Sequence, residues 1–171
     1  MALLRSGSSV LLVVDLQERL MPAITGGAAV LENTALLVRA AVRLGVDVRA
    51  TEQNPRGLGP TVAEIAELLP RPAQPKTTFA AGIEPGPGTV VVAGCEAHVC
   101  VLQTALGLRE RGREVAVVAD AAGSRVESNR DRALERLRAH GVDVVTAEMV
   151  VFEWLHDSDH PAFREVLELI R

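Results

Sequence analysis

The sequence predicts an α/β fold: a single-domain, doubly wound (Rossmann-like) six-stranded parallel sheet with helices on both faces. Short valine-rich runs alternate with longer amphipathic stretches, which is the pattern of βαβ units. The composition is 48% hydrophobic but only 2% aromatic, which favours a core of aliphatic side chains. The 171 residues suit one domain, taken as residues 1–171, that buries roughly 70% of its unfolded surface.

The first half of the chain is expected to supply three strands and two helices. Residues 9–14 are a continuous apolar run, typical of a buried strand, and end at Asp15. Residues 30–44 carry apolar side chains at helical spacing, and Gly45 ends this helix. The next elements are a strand at 46–50, a loop rich in proline and glycine, a helix at 61–69 that Pro60 begins, and a weaker extended segment at 74–79.

The second half continues the alternation to the end of the chain. The expected strands are residues 89–93, 114–119 and 142–146, and the expected helices are 99–111, 128–140 and the segment after 146. In a doubly wound sheet the chain begins centrally, moves outward and returns past its first strand, and ligands bind at this reversal. We place this return at the fourth strand, which Cys100 follows, so Asp15 and Cys100 should flank the binding crevice.

Charge and cysteine content narrow the partners and the compartment. The net charge of −4 gives no electrostatic reason to bind nucleic acid or a membrane surface, and we expect neither as a partner. The expected partner is a small-molecule substrate. The start of the chain lacks a signal-peptide pattern, and its apolar run is far shorter than the ~20 residues that span a bilayer. We therefore predict a cytoplasmic protein in which Cys95 and Cys100 form no structural disulfide.

One residue stands out by its rarity. Among 18 basic residues, Lys76 is the single lysine. A lysine ammonium is a compact charge that can enter a small pocket, whereas a guanidinium is broad and planar. Either chance or a functional requirement explains this solitary lysine.

The chemistry of a thiol hydrolase accounts for three residues together. A cysteine attacks as its thiolate, and Cys100 falls at the first turn of a predicted helix, where the helix dipole stabilises a thiolate. Asp15 could accept the thiol proton and pass it to a leaving group. Lys76 would hold the two negative charges together. Taken one at a time, the cysteine could instead be an inert core residue and the aspartate a helix cap.

Several segments resemble the isochorismatase-like cysteine hydrolase superfamily, and most closely its compact isochorismatase domain-containing proteins. These segments are VLLVVDLQE, TEQNPRGLGPTV, PKTTF, VVVAGCEAHVCVLQTALGLRERG and EMVVFEWLHDSDHPAFREVLELI. The resemblance implies that Asp15 is the acid/base, Lys76 the polarising lysine and Cys100 the nucleophile. It also implies a cis peptide bond between Cys95 and Glu96, with the amides of Glu96 and Cys100 forming an oxyanion hole.

Departures from the family's other branches narrow the reaction. Nicotinamidases bind a metal through an aspartate and histidines near the loop after the second strand, but TEQNPRG contains no histidine, so we predict neither a metal nor another cofactor. Isochorismatases, which cleave a vinyl ether, tend to lack the cysteine nucleophile, so the presence of Cys100 favours acyl transfer through a thioester. The resemblance implies amide hydrolysis as the leading reaction, since it is the commonest such reaction in the superfamily. We expect Glu52, Gln53 and His98 to contact the substrate. The resemblance also implies a homo-oligomer, a dimer or larger.

Two functions of other classes compete with hydrolysis. The chain could be a non-catalytic binding or scaffold module that keeps an ancestral pocket. It could also be a redox sensor that uses Cys95 and Cys100, two thiols that flank a short connection.

Overall fold

The computed structural model describes residues 3–170, and its centre is one six-stranded parallel sheet. The strands are β1 (Ser9–Val14), β2 (Asp47–Gln53), β3 (Gln74–Lys76), β4 (Thr89–Cys95), β5 (Val115–Gly123) and β6 (Asp143–Val145). Their order in the sheet is β3-β2-β1-β4-β5-β6. The chain therefore starts near the centre, builds one half outward and returns past β1 to build the other. Both the predicted fold class and the predicted point of return are confirmed.

Helices cover both faces of this sheet. They are α1 (Gly27–Leu44), α2 (Pro55–Leu58), α3 (Ala63–Ala66), α4 (Leu102–Glu110), α5 (Glu127–Ala139), α6 (Ala147–Leu155) and α7 (Phe163–Ile170). Short 3-10 turns occupy Ser6–Ser8 and Met21–Ala23, and a π-helical turn occupies Ala97–Val101. Among the helices described between residues 3 and 170, none has the length and apolar character needed to cross a membrane.

The continuous apolar run of β1 is explained by burial on both sides. Leu11 and Val13 belong to a hydrophobic cluster that includes side chains of α1, α6 and α7. Leu12 and Val14 belong to a second cluster with side chains of α4 and α5. Because neighbouring residues of a strand face opposite sides, a central parallel strand needs apolar side chains at every position.

Several elements begin or end at residues other than those that the sequence predicts. Strand β2 continues through Gln53 instead of ending at residue 50, because Thr51 pairs with Val14 of β1 and Gln53 pairs with Lys76 of β3. Strand β5 likewise extends to Gly123. The helix expected at 61–69 is only Ala63–Ala66, and the one expected at 99–111 begins as a π-helical turn.

Gly94 allows β4 to approach β1 at the end of the sheet that carries Asp15. Its φ is 123°, in the region that favours glycine. A Cβ atom placed there would lie 2.0 Å from the carbonyl oxygen of Val14. Gly94 is thus required for the close pairing of the two central strands.

Candidate active site

Asp15 is the centre of the candidate site. It directly follows β1, where a φ of 52° turns the chain away from the sheet, and it is fully buried. The hydroxyl of Thr51 donates a hydrogen bond to Oδ1 (2.7 Å), and the Lys76 ammonium donates one to Oδ2 (2.7 Å). Both carboxylate oxygens therefore have donors, and the buried negative charge has a cationic partner.

Lys76 ends the edge strand β3 and turns its ammonium inward, so that only 7% of the side chain is exposed. Besides Asp15, the ammonium donates to Oε1 of Gln53 (2.7 Å) and to the carbonyls of Phe79 (3.0 Å) and Thr78 (3.2 Å). A small charge with rotatable donors suits this crowded position, whereas a planar guanidinium needs more room. The solitary lysine of the sequence is thus a buried partner of Asp15.

The alternation of side chains along β2 divides its last three residues between two environments. Thr51 and Gln53 both face the Asp15–Lys76 pair. Glu52, between them, faces the other way, and its carboxylate accepts hydrogen bonds from the amide and the hydroxyl of Thr61, both at 2.7 Å. The prediction that Glu52 lines the pocket is therefore wrong. Gln53 does lie at the site, where its side chain holds the lysine.

Cys100 lies in the π-helical turn before α4 and is 6% exposed. Burial raises the pKa of its thiol to about 12; the nearby Asp15 carboxylate also raises it, and the Lys76 ammonium opposes them. The dipole at a helix start favours a thiolate, but burial and the adjacent carboxylate outweigh the lysine and keep the pKa of this thiol high. At neutral pH the candidate nucleophile is a protonated thiol beside a carboxylate that can accept its proton.

The π-helical turn changes which amide bonds to the Glu96 carbonyl. In an α-helix the amide four residues later, that of Cys100, would donate to this carbonyl. Here the donors are instead the amides of Val99 (3.0 Å) and Val101 (3.2 Å). The amide of the candidate nucleophile is thus released from that bond. The peptide bond between Cys95 and Glu96 is cis, as the resemblance implied.

Glu96 and His98 both bond to the segment that follows β5. The Glu96 carboxylate accepts hydrogen bonds from the Arg125 amide (2.9 Å) and from Arg125 Nε (3.0 Å). Burial acts to raise the pKa of Glu96, but these hydrogen bonds and the positive charge of Arg125 lower it overall. His98 is half-buried, with its Nδ1 2.9 Å from the Ser124 hydroxyl. The role of His98 in substrate binding stays a prediction.

Cys95 is separated from Cys100 by the sheet. Cys95 packs in the cluster on the α1 side, whereas Cys100 packs in the cluster on the α4 side. Both are free thiols, and burial raises the pKa of Cys95 to about 12. A Cβ atom on Gly123 would lie 3.3 Å from the Cys95 sulfur, which shows how closely that thiol is packed. This arrangement gives no support to a sensor that works by joining the two thiols.

Sequence reasoning missed two groups that the structure brings to the site. Thr51 was assigned to a loop, although a longer β2 would have placed it on the same face as Gln53. Ser124 and Arg125 lie 24 and 25 residues after Cys100, and no pattern in the sequence marks them. Within residues 3–170, no group of three or more histidine, cysteine, aspartate or glutamate side chains is arranged to hold a metal ion.

The fold and the candidate site together define the class of protein. It is a doubly wound α/β domain in which a buried cysteine lies beside an aspartate–lysine pair at the switch point of the sheet. Residues 9–149 match the isochorismatase domain, so the chain belongs to that family. Isochorismatase domain-containing proteins 1 and 2 of Danio rerio are each 39% identical to this chain, in alignments that cover 98% of its length. The chain spans 62% of the first relative and 89% of the second.

Solved structures agree with this assignment. The MAR1 ribonuclease of Caenorhabditis elegans is 37% identical, with a TM-score of 0.95 over 99% of this chain and 92% of that one. YcaC of Escherichia coli, described as an octameric hydrolase of unknown specificity, shares the fold at 24% identity, with a TM-score of 0.86 over 98% of this chain and 96% of that one. The chain therefore has the isochorismatase-family hydrolase fold.

Proposed function

We propose that this chain is a cysteine hydrolase that cleaves a small amide, or a related acyl compound, through a thioester on Cys100. The observation that carries the proposal is the buried Asp15–Lys76 ion pair, which lies beside Cys100 at the carboxyl ends of the central strands. Crevices at this position are where doubly wound sheets bind their ligands. A carboxylate, an ammonium and a thiol in one such crevice form a set suited to acyl transfer.

The first half of the reaction forms the acyl-enzyme. The Cys100 thiol gives its proton to Asp15 as the sulfur bonds to the substrate's carbonyl carbon, and the carbonyl oxygen becomes an oxyanion. The oxyanion then collapses, the carbon–nitrogen bond breaks, and the proton held by Asp15 passes to the departing amine. Lys76 stays protonated throughout and offsets the negative charge that moves between the sulfur and the carboxylate.

Backbone amides stabilise the oxyanion in this proposal. The amides of Glu96 and Cys100 are the two donors implied by the family resemblance. The π-helical turn supports the second donor, because the amides of Val99 and Val101 occupy the Glu96 carbonyl in its place. Removing one such donor from a hydrolase typically slows catalysis about 100- to 1,000-fold, so their placement is a large part of the rate.

The second half of the reaction releases the acid. Water adds to the thioester carbonyl while Asp15 accepts a proton from it, and the carbon–sulfur bond then breaks. The departing sulfur takes that proton back, which restores the thiol and the free carboxylate. No metal is needed in either half. RNA cleavage, which the name of the Caenorhabditis elegans relative states for that protein, is less suited to a chain of net charge −4.

The oligomeric state and the cytoplasmic location stay predictions, which gel filtration and cell fractionation would test.

The proposed small-molecule substrate can be tested directly by kinetics. Primary amides, N-substituted amides and small esters form the first panel, with p-nitrophenyl acetate as a chromogenic ester. Hydrolysis is measured for the wild type, for Cys100→Ala and for Cys95→Ala, since both cysteines are buried thiols of similar pKa on opposite faces of the sheet.

The expected result is turnover that Cys100→Ala abolishes and Cys95→Ala preserves. This outcome would assign the chemistry to the thiol beside Asp15 and not to thiol reactivity in general. Turnover that survives in Cys100→Ala would contradict the proposal.

A further inference from the structure

A short segment after β5 contacts the loop that carries the nucleophile at several points. The Arg125 amide and Nε both donate to the Glu96 carboxylate, at 2.9 and 3.0 Å. One residue earlier, the Ser124 hydroxyl lies 2.9 Å from His98 Nδ1. Glu96 and His98 lie four and two residues before Cys100. Two consecutive residues of one segment therefore hold two points of the nucleophile loop, Glu96 to Cys100.

The same segment also accepts hydrogen bonds from Thr25. The amide of Thr25 donates to the Ser124 carbonyl (3.1 Å), and the Thr25 hydroxyl donates to the Arg125 carbonyl (2.9 Å). Ser124 is buried, with 1% of its surface exposed. Ser124 and Arg125 therefore contact the nucleophile loop through their side chains and the Arg125 amide, while hydrogen bonds from Thr25 fix their carbonyls. Because the backbone of this segment is held by Thr25, it can fix the position of the nucleophile loop.

The charges of Glu96 and Arg125 have unequal exposure. The Glu96 side chain is 9% exposed, whereas that of Arg125 is 60% exposed. A carboxylate taken out of water needs donors and an opposite charge, and Arg125 supplies both. An exposed arginine that serves only as a surface ion pair contributes little, but one that compensates a buried carboxylate determines where that carboxylate lies.

We propose that Ser124 and Arg125 form a clamp that sets the position of the nucleophile loop, and that Arg125 is a positioning residue for the oxyanion donors. The inference rests on the proposed function. Among residues 3–170, the side-chain hydrogen bonds of Arg125 go to Glu96 and none goes to Asp15 or Lys76. Arg125 therefore contacts the Glu96 side chain, and through it positions the loop that bears the Glu96 and Cys100 amides, while the groups that control the thiol proton stay in place.

Two reactions of the Cys100 thiol distinguish an effect on the oxyanion donors from an effect on the thiol and its proton. Acylation by p-nitrophenyl acetate turns a carbonyl oxygen into an oxyanion and so depends on the backbone donors. Alkylation by iodoacetamide displaces iodide from a CH₂ group, with no oxyanion, and depends on access to the thiol and on its proton. Loss of the clamp should therefore slow acylation much more than alkylation.

The experiment compares both rates in the wild type, Arg125→Ala, Arg125→Lys and a control, Arg132→Ala. Arg132 pairs with Glu135 on the exposed face of α5, so its removal also deletes an arginine ion pair from the surface. We expect Arg125→Ala to lower the acylation rate constant about 10- to 100-fold, the range that misplacement by about an ångström produces. Alkylation should change less than about twofold, and Arg125→Lys should recover part of the acylation rate because a cation again faces Glu96.

Three outcomes would overturn the clamp: full acylation in Arg125→Ala, an equal loss of acylation and alkylation, or the same loss in Arg132→Ala. The first shows that Arg125 is not needed, the second that the whole site has collapsed, and the third that any surface arginine has this effect. A wild type that shows no acylation dependent on Cys100 would instead contradict the proposed function, so the two failures are distinguishable.

Discussion

The substitution Asp15→Asn should make Cys100 more reactive towards an alkylating agent while abolishing hydrolysis. In the wild type the pKa of the thiol is raised from about 9 to about 12, and the Asp15 carboxylate contributes to this rise after burial. The asparagine removes that contribution and leaves the Lys76 ammonium, which lowers the pKa. The thiolate population should therefore increase, although the acceptor for the catalytic proton is gone.

The size of the effect follows from the raised pKa. A shift of three pKa units makes the thiolate about 1,000-fold rarer at neutral pH than in an unperturbed thiol, and alkylation follows the thiolate. Each unit by which Asp15→Asn lowers the pKa should speed alkylation about tenfold. Lys76→Met should act in the opposite direction on alkylation, because it removes the cation, and should also abolish hydrolysis.

The assay is iodoacetamide labelling of Cys100 between pH 6 and pH 10, followed by peptide mass spectrometry, in variants that circular dichroism shows to be folded. Wild-type labelling should rise tenfold per pH unit throughout this range without a plateau. Slower labelling in Asp15→Asn than in the wild type would show that the Asp15 carboxylate does not raise the pKa of the Cys100 thiol. A wild-type plateau near neutral pH would indicate a resting thiolate and would contradict the raised pKa.

Three further predictions concern stability, each read from urea denaturation. Gly94→Ala should lower the free energy of unfolding by about 3 kcal/mol or more, because the added Cβ would meet the backbone of β1, whereas Gly107→Ala, with open space around it, should be neutral or stabilising. Thr51→Val should cost about 1–3 kcal/mol, since it removes a buried donor to Asp15; an unchanged midpoint would contradict that contact. Because the pKa of Cys95 is raised to about 12 in the fold, its protonated thiol contributes fully to the free energy of unfolding below pH 9, and this contribution is lost as the pH rises towards 12. Between pH 8 and pH 10 the free energy of unfolding should therefore fall less in Cys95→Ala than in the wild type.

The sequence predicts the fold well because its strongest patterns have a single physical cause. The run at Ser9–Val14 is apolar at every position because both faces of β1 are buried, and its bounds agree with the prediction. The order of strands follows from where a doubly wound sheet reverses. The ends of β2 and β5 were misjudged because β2 ends in Thr51, Glu52 and Gln53 and β5 passes through Asp120, and polar residues after an apolar run look like the start of a loop.

The candidate site was only partly predictable, because some of its contacts depend on strand register or join residues far apart in the sequence. Asp15, Lys76 and Cys100 could be selected because each is unusual in its place: an acid after a buried strand, a solitary lysine and a cysteine after a strand end. The orientation of Glu52 depends on the register of β2 with β1, and a shift of one residue exchanges the two faces. The contact between Glu96 and Arg125 joins residues 29 apart and leaves no local pattern.

The protonation of Cys100 could not be read from its position at a helix start. A helix dipole favours a thiolate, but burial and an adjacent carboxylate both oppose it. Which influence prevails depends on how deeply the thiol lies and how close Asp15 comes. These are properties of the packed fold.

Trapping the acyl-enzyme shows whether Cys100 carries the acyl group. The protein is mixed with p-nitrophenyl acetate, quenched in acid within the first turnover, and mapped by peptide mass spectrometry. We expect one acetyl group on the peptide that contains Cys100, its disappearance as hydrolysis proceeds, and no acetyl group there in Cys100→Ala. A wild type that hydrolyses the ester while Cys100 stays unmodified, or while the acetyl group appears on another residue, would show that Cys100 is not the nucleophile.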